Sequence, residues 1–262
     1  MPKRFRFALD SQSKHGYIYA QFYRDIANLF TRSAMRLELW VGDMSRYLDI
    51  EKWKRKGHFY FFKDYDYPFF NICADVEITE ALKYAKENRL SFFIVVLYLS
   101  TRSANFIEEF RYRIRDGKVI VHDIIHAGST VLNLDETFSF CYFQYSQDFS
   151  QFNKEASQKL TEHADGIKSL NTQEHRDDLI HYSVIPWISF KSFSNSRRRV
   201  AHDSIPNIVF GKYYLDSGSM KMPVSVDVHH ALMDGLHVAK FFDSFQAHLK
   251  NPRDVLDREA EL

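Results

Sequence analysis

The chain has 262 residues, 45% of them hydrophobic and 26% charged, which fits one large globular domain or one domain with an added arm and argues against disorder. Its formal net charge of +1 leaves no surplus of Lys and Arg to neutralise a run of phosphates, so no nucleic-acid partner is expected. Two cysteines, Cys73 and Cys141, are too few and too far apart for a disulfide framework or a zinc site.

Aromatic residues make up 16% of the chain, enough for a Phe-filled core with rings left over to line an apolar pocket. No signal-peptide pattern is legible, and the longest apolar run, Phe92 to Leu99, falls far short of a membrane span. The cytoplasm follows as the expected location.

Along the chain, the first shift in character falls near residue 45. Residues 1–47 carry eight Lys/Arg against four Asp/Glu and read as an N-terminal extension, followed by a domain over 48–262. Within the extension Ile18 to Leu39 is a candidate helix with a ragged apolar stripe, and Met44 stands just before the domain as an alternative start. Phe69 to Val76 reads as a strand, and Ile78 to Asn88 as a short helix with Thr79 near its cap. Leu90 to Phe106 is apolar nearly all round and predicts a buried helix. Arg111 to Arg115 and Lys118 to Val121 flank Asp116-Gly117, a strong hairpin signal. Further strands are predicted over Thr137–Tyr145, Trp187–Phe193, Ile208–Tyr214 and Pro223–His229, with a surface helix over Asp148–Asp165 and an amphipathic one over Gly235–Lys250. Such an order predicts an α/β or α+β domain, a sheet with helices packed on it.

The segment Val226-Asp227-Val228-His229-His230-Ala231-Leu232-Met233-Asp234-Gly235 carries the chemistry. In an extended strand Val224, Val226 and Val228 share one face, and Ser225, Asp227 and His229 the other. His230 then falls on the valine side, pointing inward, and His229 points away. Asp234 opens the last helix and can cap its free N–H groups. Imidazole is the side chain whose neutral, basic form is abundant near pH 7, which suits His230 to a general base. Two blander readings stand beside this one. A core histidine pair with a capping aspartate explains the segment equally well when taken alone. A metal site explains it less well, because no third ligand sits at a recognisable spacing, and no metal is expected.

Other segments shift that balance. Trp53-Lys54-Arg55-Lys56-Gly57-His58-Phe59, Pro186-Trp187-Ile188-Ser189-Phe190-Lys191-Ser192-Phe193 and Gly211-Lys212-Tyr213-Tyr214 occur in order before the histidine segment. Together they resemble the trimeric, CoA-dependent chloramphenicol acetyltransferases, from about Leu48 to Leu249. A lone His-x-x-x-Asp-Gly also marks lipoyl-dependent acyltransferases and peptide-synthetase condensation domains, and the latter hold two copies of the fold where this chain has room for one.

The resemblance implies a two-layer α/β (α+β) sandwich, a mixed sheet with packed helices, assembling as a homotrimer with each site at a subunit interface. It implies acetyl transfer from acetyl-CoA to a hydroxyl of chloramphenicol, directly in a ternary complex, and hence antibiotic inactivation. Carried over by position, His230 is the base and Ser192 the donor to the developing oxyanion. Asp234 and Arg55 form a structural pair behind the histidine turn, and Lys212 and Tyr213 lie beside CoA. Phe61, Phe62 and Val209 line the acceptor pocket. Three departures from the resemblance stand out: Phe61-Phe62 where one family variant has a pocket tyrosine, Val209 for a threonine, and Asp227 for a glutamine. They bear on the acceptor, so a different small hydroxylated acceptor is the first rival reading. A non-catalytic small-molecule binding protein on the same fold is the second.

Overall fold

The eight residues of Phe92–Leu99 end up where an unbroken apolar run must go, in the first two turns of a helix whose sides are nearly all covered. In the computed structural model, residues 45–164, 170, 173, 176–197 and 203–257 are described. In chain order these form β1 (Ser45–Tyr47), a 3-10 turn at Ile50–Lys52, α1 (Lys56–Phe62), β2 (Phe69–Glu77), α2 (Thr79–Glu87) and α3 (Phe92–Asn105). A second 3-10 turn at Glu108–Arg111 leads into β3 (Tyr112–Arg115), β4 (Lys118–His122), β5 (His126–Leu132), β6 (Phe138–Phe143) and α4 (Phe149–Ala164). The chain closes with β7 (Leu179–Ile185), β8 (Asn207–Gly211), β9 (Tyr214–Asp216), β10 (Ser219–His229), α5 (Gly235–Lys250) and α6 (Arg253–Leu256).

The main sheet runs β2-β10-β8-β7-β5-β6, with β9 paired to the start of β10. β5, β7 and β8 are parallel to one another, and the other pairings are antiparallel, so the sheet is mixed. Helices cover one face of it, against Val224, Val226, Val228, Ile208, Phe210 and Tyr182, all buried. Burying each such side chain is worth roughly 1.5–3 kcal/mol, which makes this layer the main source of stability. A smaller sheet, β1-β4-β3, stands apart. The two-layer, mixed α/β expectation therefore holds.

The Asp-Gly hairpin forms in the expected register, Arg115 opposite Lys118. Asp116 and Gly117 both take positive φ, 51° and 70°, as a type I′ turn requires. Three expectations need correction. Residues 187–193 form no strand; the strand lies just upstream, at Leu179–Ile185, and Pro186, with no N–H for the ladder, follows its end. The strand expected over Ile208–Tyr214 is divided between β8 and β9. Thr79 stands next to the cap Ile78, as expected, and its hydroxyl accepts the Met220 N–H at 3.0 Å, tying α2 to β10. Residues 45–47, assigned above to the extension, form β1 and pair with β4. The helix expected over residues 18–39 lies outside the described residues.

The second face of the sheet has a different character. Strand alternation places Asn71, Cys73 and Asp75 of β2, Ser225, Asp227 and His229 of β10, Val209 of β8, Ser183 of β7 and Thr130 of β5 on it. The chain after β7 lies across its β2–β10 end, with Lys191 reaching Asp75 and Arg197 reaching Asp227. Close passage there needs a glycine at 211. A Cβ at that position would stand 2.7 Å from Pro223 Cγ and 2.9 Å from the Phe190 ring.

Candidate active site

Strand β10 delivers its last residues into a turn held from three directions. The His230 N–H donates to the Pro68 carbonyl at 2.7 Å, continuing the ladder with the start of β2. The Leu232 and Met233 N–H groups fold back onto the His229 carbonyl at 3.0 and 3.2 Å. Ala231 and Leu232 are fully buried in a small apolar cluster with Phe59 of α1 and Tyr112, Ile114, Val119 and Val121 of the β3–β4 hairpin. The minor sheet thus anchors the turn that carries the histidine.

Behind the turn, Arg55 clamps its two ends together. Its Nη2 donates to the His230 carbonyl at 3.1 Å and to Asp234 Oδ1 at 2.9 Å, while Nη1 donates to Asp234 Oδ2. Burial raises the Asp234 carboxyl, but the hydrogen bonds and charge of Arg55 outweigh it and hold the group below the usual carboxylate range. Asp234 also caps α5 in a reciprocal box with His237, whose Nδ1 accepts the Asp234 N–H at 2.9 Å. The expected Arg55–Asp234 pair and the helix-capping aspartate are both present.

The His230 imidazole lies flat on Phe62, ring centroids 4.0 Å apart, and leans on Phe70 at 4.7 Å. Its Nδ1 is 3.3 Å from the Met233 carbonyl oxygen and 3.3 Å from Asp234 Oδ1. Two acceptors around Nδ1 favour the tautomer with the proton there, which leaves the lone pair on Nε2. That is the protonation state of a base with one open nitrogen. Phe61, mostly exposed, meets the edge of Phe62 at 4.9 Å, and a cavity of about 410 Å³ opens beside them, lined by Gly57, His58, Phe61 and Phe62.

The alternation of faces is as expected, but burial is reversed between the two histidines. His230 is one-third exposed, and His229 is buried under the loop after β7. The His229 Nδ1 accepts the Ala231 N–H at 3.2 Å, and its ring meets Phe69 edge-on at 5.0 Å. Burial, reinforced by the charges of Arg197 and His230, pushes His229 down to about 4, so it stays neutral at physiological pH.

The remaining expected residues do not gather at His230 within one chain. Ser192 is exposed, next to Lys191, whose ammonium reaches the Asp75 carboxylate opposite Pro223. From Pro223 to His230 is seven residues of β10, roughly 20 Å. Lys212 follows β8, its N–H donating to the Ile188 carbonyl at 3.0 Å, and Tyr213 meets Phe92 edge-on at 5.9 Å. Val209 is buried on the second face, paired with Ser225 on one side and Ser183 on the other.

Two residues of this region escape a reading of the sequence. Ser183 stands beside Val209 on the second face, half-buried, its hydroxyl 3.3 Å from the Thr130 hydroxyl. The alternation in Leu179–Ile185 is the signal that could have found it. Arg197 is almost fully buried and paired with Asp227 at 2.9 Å, a partner hidden in the sequence by the adjacent run of arginines. Among the described residues, no group of three or more His, Cys, Asp or Glu is placed to hold a metal ion, and no helix is long and apolar enough to cross a membrane.

Comparison with known proteins agrees with this geometry. The profile of the chloramphenicol acetyltransferase family matches residues 44–246. The chain is 29% identical over 200 residues to a chloramphenicol acetyltransferase of Proteus mirabilis, covering 76% of this chain and 92% of the relative. It is 30% identical to one of Escherichia coli, covering 76% and 91%. A solved chloramphenicol acetyltransferase superposes with a TM-score of 0.74 at 31% identity, over 79% of this chain and all of the other. The dihydrolipoamide acetyltransferase of Azotobacter vinelandii shares the fold at a TM-score of 0.52 and 14% identity, over 84% of this chain and 94% of that one. Profile, sequence relatives and fold converge on one answer, and the chain belongs to the chloramphenicol acetyltransferase family.

Proposed function

We propose that this acyltransferase moves the acetyl group of acetyl-CoA onto a hydroxyl of chloramphenicol, with His230 as general base and both substrates bound together. The observation that carries the reading is the His230 environment: Nδ1 lies between two acceptors, Phe62 stacks on the ring, and Nε2 is left to take a proton. In the reaction, Nε2 removes the acceptor hydroxyl proton as the oxygen attacks the thioester carbonyl. The tetrahedral intermediate collapses by breaking the C–S bond, and the imidazolium returns its proton to the CoA thiolate. No acyl-enzyme forms.

Charge on the intermediate's oxygen calls for a donor, and neither Ser192 nor Ser183 meets the His230 ring within one chain. This supports assembly as a homotrimer, in which the second face of one copy completes the site of its neighbour. Two serines fit the oxyanion role. Ser192 is the one assigned by resemblance. Ser183 is favoured by position, since it sits in the row of hydroxyls beside Val209. Lys212 and Tyr213 are assigned to CoA, a cation for phosphate and a ring for the adenine. The enzyme is placed in the cytoplasm.

The test is release of free thiol when acetyl-CoA and chloramphenicol are mixed with the protein, with acetyl-CoA alone as control. Thiol release that depends on chloramphenicol and vanishes in His230→Ala supports the reading. Phe62 and Val209 present no hydroxyl to an acceptor, which favours one second reading: the same chemistry on a less polar alcohol. A panel of hydroxylated aromatic compounds separates the two, by whichever acceptor gives the highest kcat/KM.

A further inference from the structure

On the sheet face opposite the Phe62–His230 stack lies a buried cation. The Arg197 side chain is 5% exposed and the Asp227 side chain 2%. The Arg197 Nε donates to Asp227 Oδ2 at 2.9 Å, Nη1 to Asp203 Oδ1 at 3.2 Å and to the Ile205 carbonyl at 3.0 Å, and Nη2 to the Asp227 carbonyl at 3.3 Å. Its guanidinium sits 3.7 Å from the centre of the Phe69 ring. Phe69 is the strand partner of His229 and touches its imidazole edge-on. The His229 ring in turn accepts the N–H of Ala231, the residue after the base.

This chain of contacts runs from a loop to the catalytic turn without a gap: Arg197, Phe69, His229, Ala231, His230. We infer that Arg197, locked by Asp227 and Asp203 against Phe69, is a positioning residue for the base, clamping the end of β10 from the face opposite the imidazole. The planar fork matters more than the charge, because one guanidinium donates in several directions while stacking on a ring, which an ammonium cannot reproduce. Asp227 gives the clamp its fixed point: its carboxylate and its backbone carbonyl both accept from Arg197, so guanidinium and strand move together. A buried ion pair of this kind is weak evidence for stability, since apolar replacements of both partners are often tolerated. It is better placed to fix a geometry.

The inference rests on His230 being the base, and the experiment keeps the two separable. Turnover, KM for each substrate and thermal melting are measured for wild type, His230→Ala, Arg197→Lys, and the double variant Arg197→Met with Asp227→Asn, which leaves neither member of the pair charged. Expected is a kcat at least tenfold below wild type in Arg197→Lys and in the double variant, with both KM values within threefold and melting within a few degrees. A kcat within twofold of wild type in either variant, once folded, overturns the positioning role. So does a kcat that falls only in proportion to lost folded protein, since that marks the pair as purely structural. If the double variant does not fold, Arg197→Lys, which keeps the charge, decides alone. Turnover surviving in His230→Ala overturns the base assignment instead.

Discussion

The imidazole of His230 and the ring of Phe62 are stacked face to face, their planes 12° apart and their centroids separated by 4.0 Å. An imidazole pinned this way cannot swing about its ring axis without losing the contact, so Nε2 holds one direction. Phe62→Leu removes the flat surface and keeps an apolar side chain. A ring pair of this type is worth about 0.5–1.5 kcal/mol, or roughly a 2- to 10-fold effect on rate. Steady-state kinetics of Phe62→Leu should show that loss in kcat. Phe62→Tyr keeps the ring, and its kcat should stay near wild type.

The two candidate oxyanion donors give opposite forecasts. Replacing the serine that meets the developing charge with alanine should lower kcat by about 10²–10³-fold. Ser183 lies in the row of hydroxyls on the sheet face and Ser192 on the exposed loop, so Ser183→Ala is expected to show the larger loss. Measured side by side, a larger drop in Ser192→Ala would return the role to that residue and place the loop at the reaction centre of a neighbouring copy.

How much of this is legible in the sequence depends on whether local residues determine it. The Asp116-Gly117 hairpin, the buried helix around Phe92–Leu99 and the capping Asp234 are all readable, because each is fixed by a few adjacent residues. The Arg55–Asp234 pair, 179 positions apart, is reached only through resemblance to a family. Arg197 is not reached at all, since nothing local separates it from the neighbouring arginines. Nor is Ser183, because the larger apolar side chains after Pro186 draw the strand assignment away from Leu179–Ile185. What escapes are contacts between distant segments of chain.

Acid should destabilise the protein well above the carboxylate range. His229 and His126, each pushed down to about 4 mainly by burial, refuse a proton that the unfolded chain accepts from its ordinary value of 6.5 downward. Their contribution is fully present above pH 6.5 and is lost as pH falls toward 4, at up to about 1.4 kcal/mol per pH unit for each imidazole. Chemical denaturation across that window should show the slope, and His229→Asn, which keeps an acceptor near the Ala231 N–H, should reduce it. An unchanged slope in that variant would mean His229 takes up protons while folded. Asp234 acts lower, its contribution lost only as pH falls through its depressed folded value.

A chain beginning at Met44 should fold, assemble and turn over as the longer one does. It retains β1, whose Ser45–Tyr47 pairs with β4 in the sheet that supports Ala231 and Leu232. Calorimetry and size measurement of the two chains check this. A much lower melting temperature, or loss of assembly, would assign residues 1–43 a structural role.

The clamp of Arg55 on Asp234 has a consequence for how the protein is made. The two residues lie 179 positions apart, and at about 5–20 residues per second the ribosome needs on the order of 10–40 s to travel between them. Throughout that interval β2 waits with its β10-facing edge unpaired, and Phe59 lacks Ala231 and Leu232 to pack against. Such an edge invites pairing with other nascent chains until β10 arrives to cover it. The turn that carries His230 cannot be clamped by Arg55 until Asp234 has been made, near the end of the chain.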